Sequence, residues 1–154
     1  MLLAGADATE ALGHALANQL RRGDVVALFG DLGAGKTTLA RGLLHGLGLH
    51  GDVVSPTFQI IQIYDEQDME FPLWHIDLYR IEGPAELAEL ALDEARADAA
   101  LAIEWPERLG ALLWPDALCL YFSMAGEGIS KVSGNVRRLT ARVPPAWENR
   151  WPPK

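Results

Sequence analysis

Leu12, Ala15, Leu16 and Leu20 recur at helical spacing and predict an amphipathic helix over 8–21. Asp7, with Glu10 three residues on, reads as an N-terminal capping pair, and Gly23 closes the segment. The continuous apolar run 25–29 then predicts a buried strand. A helix beginning near Lys36 follows, with Leu39, Leu43, Leu44 and Leu47 on one side and Gly46 and Gly48 at its end. An extended segment starts at Val53, and the Ile-rich stretch 58–64 alternates with Gln. The acidic loop 65–70 and the extended run 71–76 complete a predicted hairpin, an antiparallel element that interrupts a pure βαβ order.

Pro84 opens a further helix that turns Leu87, Leu90 and Ala91 inward and Glu86 and Glu89 outward. A short apolar strand is predicted at 99–103, and three strand-like stretches follow at 117–123, 128–133 and 136–143, the last two joined by Gly134-Asn135. Helices alternating with buried strands, a hairpin and a strand-rich second half predict an α/β three-layer sandwich with a mixed central sheet. With 154 residues and 49% hydrophobic content, one domain over 1–143 is expected. The stretch 144–154, with four prolines plus Trp147 and Trp151, reads as an irregular tail that either folds back or stays loose.

Charge narrows the partners. A net charge of -8 argues against a broad nucleic-acid-binding face, which needs clustered Lys and Arg, so any link to nucleic acid runs through another protein. The lone Cys119 sits in an apolar run and reads as a buried free thiol, which fits a reducing cytoplasm. The N-terminus lacks a cationic region followed by a long apolar core, and no stretch reaches membrane-spanning length, so a soluble, unprocessed chain without membrane contact is expected.

The chemistry concentrates in Gly30-Asp31-Leu32-Gly33-Ala34-Gly35-Lys36-Thr37, a match to the phosphate-binding pattern G-x-x-x-x-G-K-[ST] between a strand and a helix. Glycines at 30, 33 and 35 let the backbone turn its N–H groups onto phosphate oxygens. The following helix adds its positive end, Lys36 brings a full charge to the β- and γ-phosphates, and the Thr37 hydroxyl can bind Mg²⁺. Lys36 is also one of three lysines in a chain whose other cationic side chains are arginine. A P-loop NTPase-like fold is therefore expected. No Asn-Lys-x-Asp segment is present to select guanine, which favours ATP.

Ligands of open α/β sheets bind beyond the carboxyl ends of the strands. Asp77 follows the run 73–76 and Glu104 the run 99–103, so both are candidates for Mg²⁺ ligation and for orienting the attacking water, with the division between them open. Ser55-Pro56-Thr57-Phe58 is either a turn or a segment whose Thr57 senses the γ-phosphate. His75 is compatible with a packed or a catalytic role, Trp105 with a core position or a stack on the base, and Tyr79 and Arg80 with the site or with anchoring a loop.

Taken in order and spacing, the phosphate loop with Thr38, Ser55-Pro56-Thr57-Phe58, His75-Ile76-Asp77-Leu78-Tyr79-Arg80 and Ile103-Glu104-Trp105-Pro106-Glu107 resemble the bacterial tRNA threonylcarbamoyladenosine biosynthesis ATPase, the TsaE (YjeE) family. The likeness covers residues 7–143. It implies a small cytoplasmic, Mg²⁺-dependent ATPase that works with the TsaB and TsaD proteins, which place a threonylcarbamoyl group on an adenosine beside the anticodon; tRNA would be met only through that complex. By motif, the nucleotide would contact Asp31, Gly33, Ala34, Gly35, Lys36, Thr37, Thr38 and Thr57. Thr37, Asp77 and Glu104 would serve the metal, Lys36, Asp77 and Glu104 the chemistry, and Trp105 would be a nucleotide-side aromatic. Thr9 matches the family's helix-start Thr near the nucleotide and is equally compatible with a helix cap. The tail departs from the family pattern.

Two other readings remain. A small-molecule kinase with the same loop would need an arginine-rich lid, and the late cluster Arg137, Arg138 and Arg142 alternates as on two faces of a strand. An ATP-dependent binding module would use the nucleotide to order 55–58 with hydrolysis incidental. Arg80 is the only evident candidate for a transition-state arginine, so slow hydrolysis by the isolated chain is expected.

Overall fold

Strands β2 (Val25–Phe29) and β5 (Ala100–Glu104) are apolar nearly throughout and buried along almost their whole length, as strands covered by helices on both faces must be. The protein, described by a computed structural model over residues 1–125 and 135–154, builds around them a seven-stranded mixed sheet of order β1-β7-β6-β2-β5-β4-β3. The remaining strands are β1 (Leu2–Ala4), β3 (Ile61–Tyr64), β4 (Leu73–Asp77), β6 (Leu118–Met124) and β7 (Val136–Arg142). β4, β5, β2 and β6 run parallel, while β3, β7 and β1 are antiparallel to their neighbours. Side-chain alternation splits the core. Val26, Leu28, Ala102 and Leu120 face α1 (Gly5–Ala17) and α2 (Lys36–Gly46), whereas Val25, Ala27, Leu101 and Ile103 face α3 (Pro84–Glu89), α4 (Leu92–Ala95) and a 3₁₀ segment, Pro106–Leu112. This is the expected three-layer α/β sandwich, and the β3–β4 hairpin is the expected antiparallel element. The strand expected at 128–133 and its Gly134 turn lie outside the described residues.

Local departures have local causes. β1 is three residues long, too short to show alternation, and is held by its pairing with β7 and by the Met1 ammonium donating to the Leu139 carbonyl at 3.0 Å. The chain turns from β1 directly into α1 at Gly5, which has φ +82°, so the helix starts before residue 8 and, among the described residues, no side chain caps it. Glu10 instead meets His45 of α2 at 3.1 Å. Ala91 is exposed with φ +52°, breaking the expected helix so that Leu92 takes the inward position.

α1 and α2 pack without side chains at their crossing. A methyl placed on Gly42 would collide with the Glu10 carbonyl, one on Gly13 with the Leu39 carbonyl, and one on Gly46 would lie 2.5 Å from Ala17 Cβ. Gly42→Ala is expected to force the helices apart and cost about 1–3 kcal/mol, read as a lower urea midpoint at unchanged slope. An unchanged midpoint would mean that the contact is not tight.

The segment after β7 folds back. Trp147 is fully buried against the α1/α2 side of the core. Arg150 stacks on its ring at 3.9 Å and pairs with Asp24 at 2.6 Å, just before β2. Among the described residues no helix is long and apolar enough to cross a membrane.

Candidate functional site

The loop after β2 turns through three glycines with positive φ, Gly30 at 146°, Gly33 at 77° and Gly35 at 114°. Gly35 is the residue before α2, and among the described residues no side chain caps that helix, so its first-turn amides are left for an anion. A cavity opens there. It is lined by Gly33, Gly35, Lys36, Thr37 and Thr38 of the loop, by Ser55 and Thr57, and by Asp77, Glu104 and Trp105 from the ends of β4 and β5. Of the other residues expected at the nucleotide, Ala34 is buried behind the loop and Asp31 is exposed outside the cavity, its carbonyl accepting from the Ala34 amide at 3.0 Å. Thr9 is interior to α1 and fully buried, with its hydroxyl donating to the Gly5 carbonyl at 3.0 Å. It is neither a cap nor a cavity residue, although its methyl lies close behind Gly35.

Asp77 and Glu104 are direct partners in the parallel β4–β5 register. Both are nearly buried, at 4% and 3% exposure, and each is held by a different neighbour. The Thr37 hydroxyl reaches the two Glu104 oxygens at 3.0 and 3.1 Å. Fully buried His75 lies behind, with Nε2 2.7 Å from Glu104 Oε2. Facing a carboxylate, Nε2 is the donor, so His75 fixes the orientation of Glu104 from outside the cavity. Asp77 accepts from the Thr57 hydroxyl at 3.1 Å and from the Tyr79 amide at 2.9 Å. Because Thr57 donates there, Ser55, 2.9 Å from Thr57 Oγ1, donates to Thr57. The 55–57 segment is thus latched to Asp77 through side chains.

Lys36 is 4% exposed. Its ammonium donates to the carbonyls of Gly30 and, at 3.2 Å, Asp31, and lies 3.9 Å from the centroid of the Trp105 ring. Burial holds its pKa below the ordinary lysine value, opposed in order by the negative charges of Glu104, Glu107, Asp77 and Asp31. Trp105, with φ +56°, therefore sits over the loop lysine at the phosphate end of the cavity. Tyr79 packs against Trp105 at 5.0 Å, and Arg80 lies over Phe58 at 4.4 Å, outside the cavity.

Arg137 is not among the site residues expected from sequence, yet it lines the cavity and donates to the Gly33 carbonyl at 3.2 Å. Strand alternation separates it from Arg138 and Arg142, but only the order of strands in the sheet brings β7 within reach of the loop.

Similarity to known proteins agrees with the geometry. The family model described as threonylcarbamoyl adenosine biosynthesis protein TsaE matches residues 3–131. A tRNA threonylcarbamoyladenosine biosynthesis protein TsaE from Streptomyces coelicolor is 42% identical over 130 residues, spanning 84% of this chain and 86% of the relative. The TsaE protein of Bacillus subtilis is 39% identical over 120 residues, spanning 77% and 73%. The crystal structure of Bacillus subtilis YdiB superimposes with a TM-score of 0.75 at 31% identity, covering 97% of this chain and 88% of that one. The chain belongs to the TsaE family of tRNA threonylcarbamoyladenosine biosynthesis proteins.

Proposed function

We propose that this chain is a cytoplasmic, Mg²⁺-dependent ATPase that acts with TsaB and TsaD to sustain repeated rounds of N6-threonylcarbamoyladenosine formation on tRNA. The observation that carries the reading is the meeting of the phosphate loop, Thr37 and the paired strand-end acids Asp77 and Glu104 in one cavity.

Lys36 and the first-turn amides of α2 would hold the β- and γ-phosphates. The donor set suits a small hard cation, because Mg²⁺ takes oxygen ligands and typically one or two carboxylates, with phosphates and waters filling the rest. Thr37 and Glu104, already joined by a hydrogen bond, would hold it, with Asp77 beside them across the β4–β5 ladder. When bound, the ion would offset the negative charge that develops on the transferred phosphoryl group. Asp77, bonded to Thr57, would orient the attacking water and tie its position to the 55–57 segment. His75 would keep Glu104 aimed at the metal side.

Exposed apolar side chains border the cavity, with Leu32 at 90%, Phe58 at 80% and Val54 at 64%. Clustered exposure of this kind marks a surface that a partner covers, which supports completion of the site by TsaB and TsaD. The net charge of -8 fits tRNA being held by those partners. With Arg80 packed on Phe58, no arginine from β4 or β5 is placed for the transition state among the described residues, so turnover by the isolated chain is expected to stay well below about 10 per second.

Metal dependence tests the roles. Glu104→Gln is expected to raise the Mg²⁺ concentration for half-maximal ATP hydrolysis by about 10- to 100-fold, with ATP affinity in EDTA nearly unchanged. Equal Mg²⁺ dependence in the two proteins would remove Glu104 from the metal site.

A further inference from the structure

The two helical layers of the sandwich are unequal. α1 and α2, thirteen and eleven residues long, cross without side chains between them. On the other face α3 has six residues and α4 four, Ala91 with φ +52° breaks the helix between them, and Gly110 with φ +52° kinks the 3₁₀ segment. These short pieces cover the sheet without closing over it. Three cavities of about 430, 320 and 340 Å³ lie along this layer. The first two share Leu87, Leu109 and Leu112, and the second and third share Ala91 and Glu94, so they form one continuous groove. It starts at Ile81 and Arg108, just beyond Tyr79 and Trp105, which pack together beside the phosphate-loop cavity, and it ends at Trp74 and Ile63.

The groove has an apolar floor, in which Leu112 is 61% exposed, and an acidic rim. Glu82 and Glu107 line one end, Asp93 and Glu94 the middle, and Asp65 and Asp98 the other end, all of them exposed. None of these carboxylates makes an ion pair among the described residues. Arg108 is the one cationic side chain that lines the groove among the described residues. Arg96, over the Trp114 ring, is already paired with Asp116 at 2.7 Å, and Arg22 meets the backbone carbonyl of Asp98 rather than its carboxylate. Unpaired like charges around an apolar trough repel one another in the free protein, and an opposite charge relieves that repulsion.

This pattern selects the occupant. The rim repels phosphate, which argues against nucleic acid or an anionic membrane, and a second copy of this chain, with a net charge of -8, brings like charge. The floor is built from side chains on short helices, the setting in which an amphipathic helix lays its apolar face into a groove. Lys or Arg flanking that face would meet the rim. We infer that the groove docks a cationic amphipathic helix of a partner protein and, because it starts beside the phosphate-loop cavity, that the TsaB–TsaD complex supplies that helix. The inference rests on the partnership proposed above.

The test is calorimetric titration of the TsaB–TsaD complex with wild type, a Glu82→Lys/Glu94→Lys double variant, Leu112→Ser and Glu148→Lys, with melting temperature and ATP hydrolysis measured on each chain alone. The double variant and Leu112→Ser are each expected to raise Kd by about tenfold or more, with hydrolysis by the isolated chains within about twofold of wild type. Glu148 is exposed on the tail, which packs against the α1/α2 side, so its charge reversal serves as the control and should bind as wild type does. Should the double variant melt early, Glu94→Lys alone carries the test with a smaller factor. A photo-cross-linking p-benzoylphenylalanine in place of Leu112 should capture a helical segment of TsaB or TsaD with net positive charge. Unchanged Kd values in the groove variants, an equal loss in Glu148→Lys, or capture of a segment without net positive charge would each overturn the inference alone. Failure of wild type to bind TsaB–TsaD would instead overturn the proposed partnership, and this inference with it.

Discussion

Lys36→Ala is expected to lower kcat/KM for ATP by about 10²–10³-fold, the loss typical when one preorganised charge-stabilising group is removed from an active site. The size follows from where the ammonium stands. Lys36 is buried at the base of the loop, and among the described residues its ammonium, depressed in pKa by that burial, has only carbonyl oxygens and the Trp105 ring as close partners. A phosphate arriving there meets a cation that has already lost most of its hydration, so the interaction is stronger than a surface lysine would give. The fold should tolerate the change, because Lys36 makes no ion pair among the described residues and α2 retains its leucine face. Steady-state kinetics with circular dichroism checks both halves. Wild-type kcat/KM in the variant would show that the loop lysine does not touch ATP.

Trp147→Ala is expected to destabilise the protein by about 3–5 kcal/mol, the range for deleting a buried aromatic. Trp147 is fully buried, packs against the α1/α2 side of the core, and carries the Arg150 guanidinium on its ring. Arg150 in turn pairs with Asp24 at the entry to β2, the strand that leads into the phosphate loop. Removal of the indole therefore leaves a cavity and loosens a largely buried ion pair, whose partners are costly to leave alone. A melting temperature lowered by about 10 °C or more would agree. If truncation at residue 143 left the melting temperature unchanged, the segment would not belong to the folded unit.

The parts of this fold that were legible in the sequence are those fixed by local chemistry. The phosphate loop is eight adjacent residues whose glycines, lysine and threonine each have a steric or electrostatic reason, and the structure gives those glycines the positive φ that the pattern requires. The runs ending in Asp77 and Glu104 were likewise readable, since a carboxylate closing a buried strand lands at the sheet's carboxyl edge. What was hidden depends on strand order. Arg137 is 104 residues from Gly33, and the two meet because β7 returns beside β6, which no periodicity announces. The same holds for Trp147, whose neighbouring prolines leave open whether the tail folds back or stays loose, while its indole lies in the core. Asp7 and Glu10 failed as a cap for a different reason. A three-residue strand pairing with β7 fixed the start of α1 at Gly5, and tertiary pairing outweighed a weak local preference.

The central claim, that ATP turnover in this cavity sustains tRNA modification, is tested most directly by counting threonylcarbamoyladenosine formed per TsaB–TsaD complex over time, with this chain as wild type, as Lys36→Ala, or omitted. Continued product formation over many turnovers with wild type, and arrest near one turnover in the other two reactions, is the expected result. Equal product in all three would contradict the account.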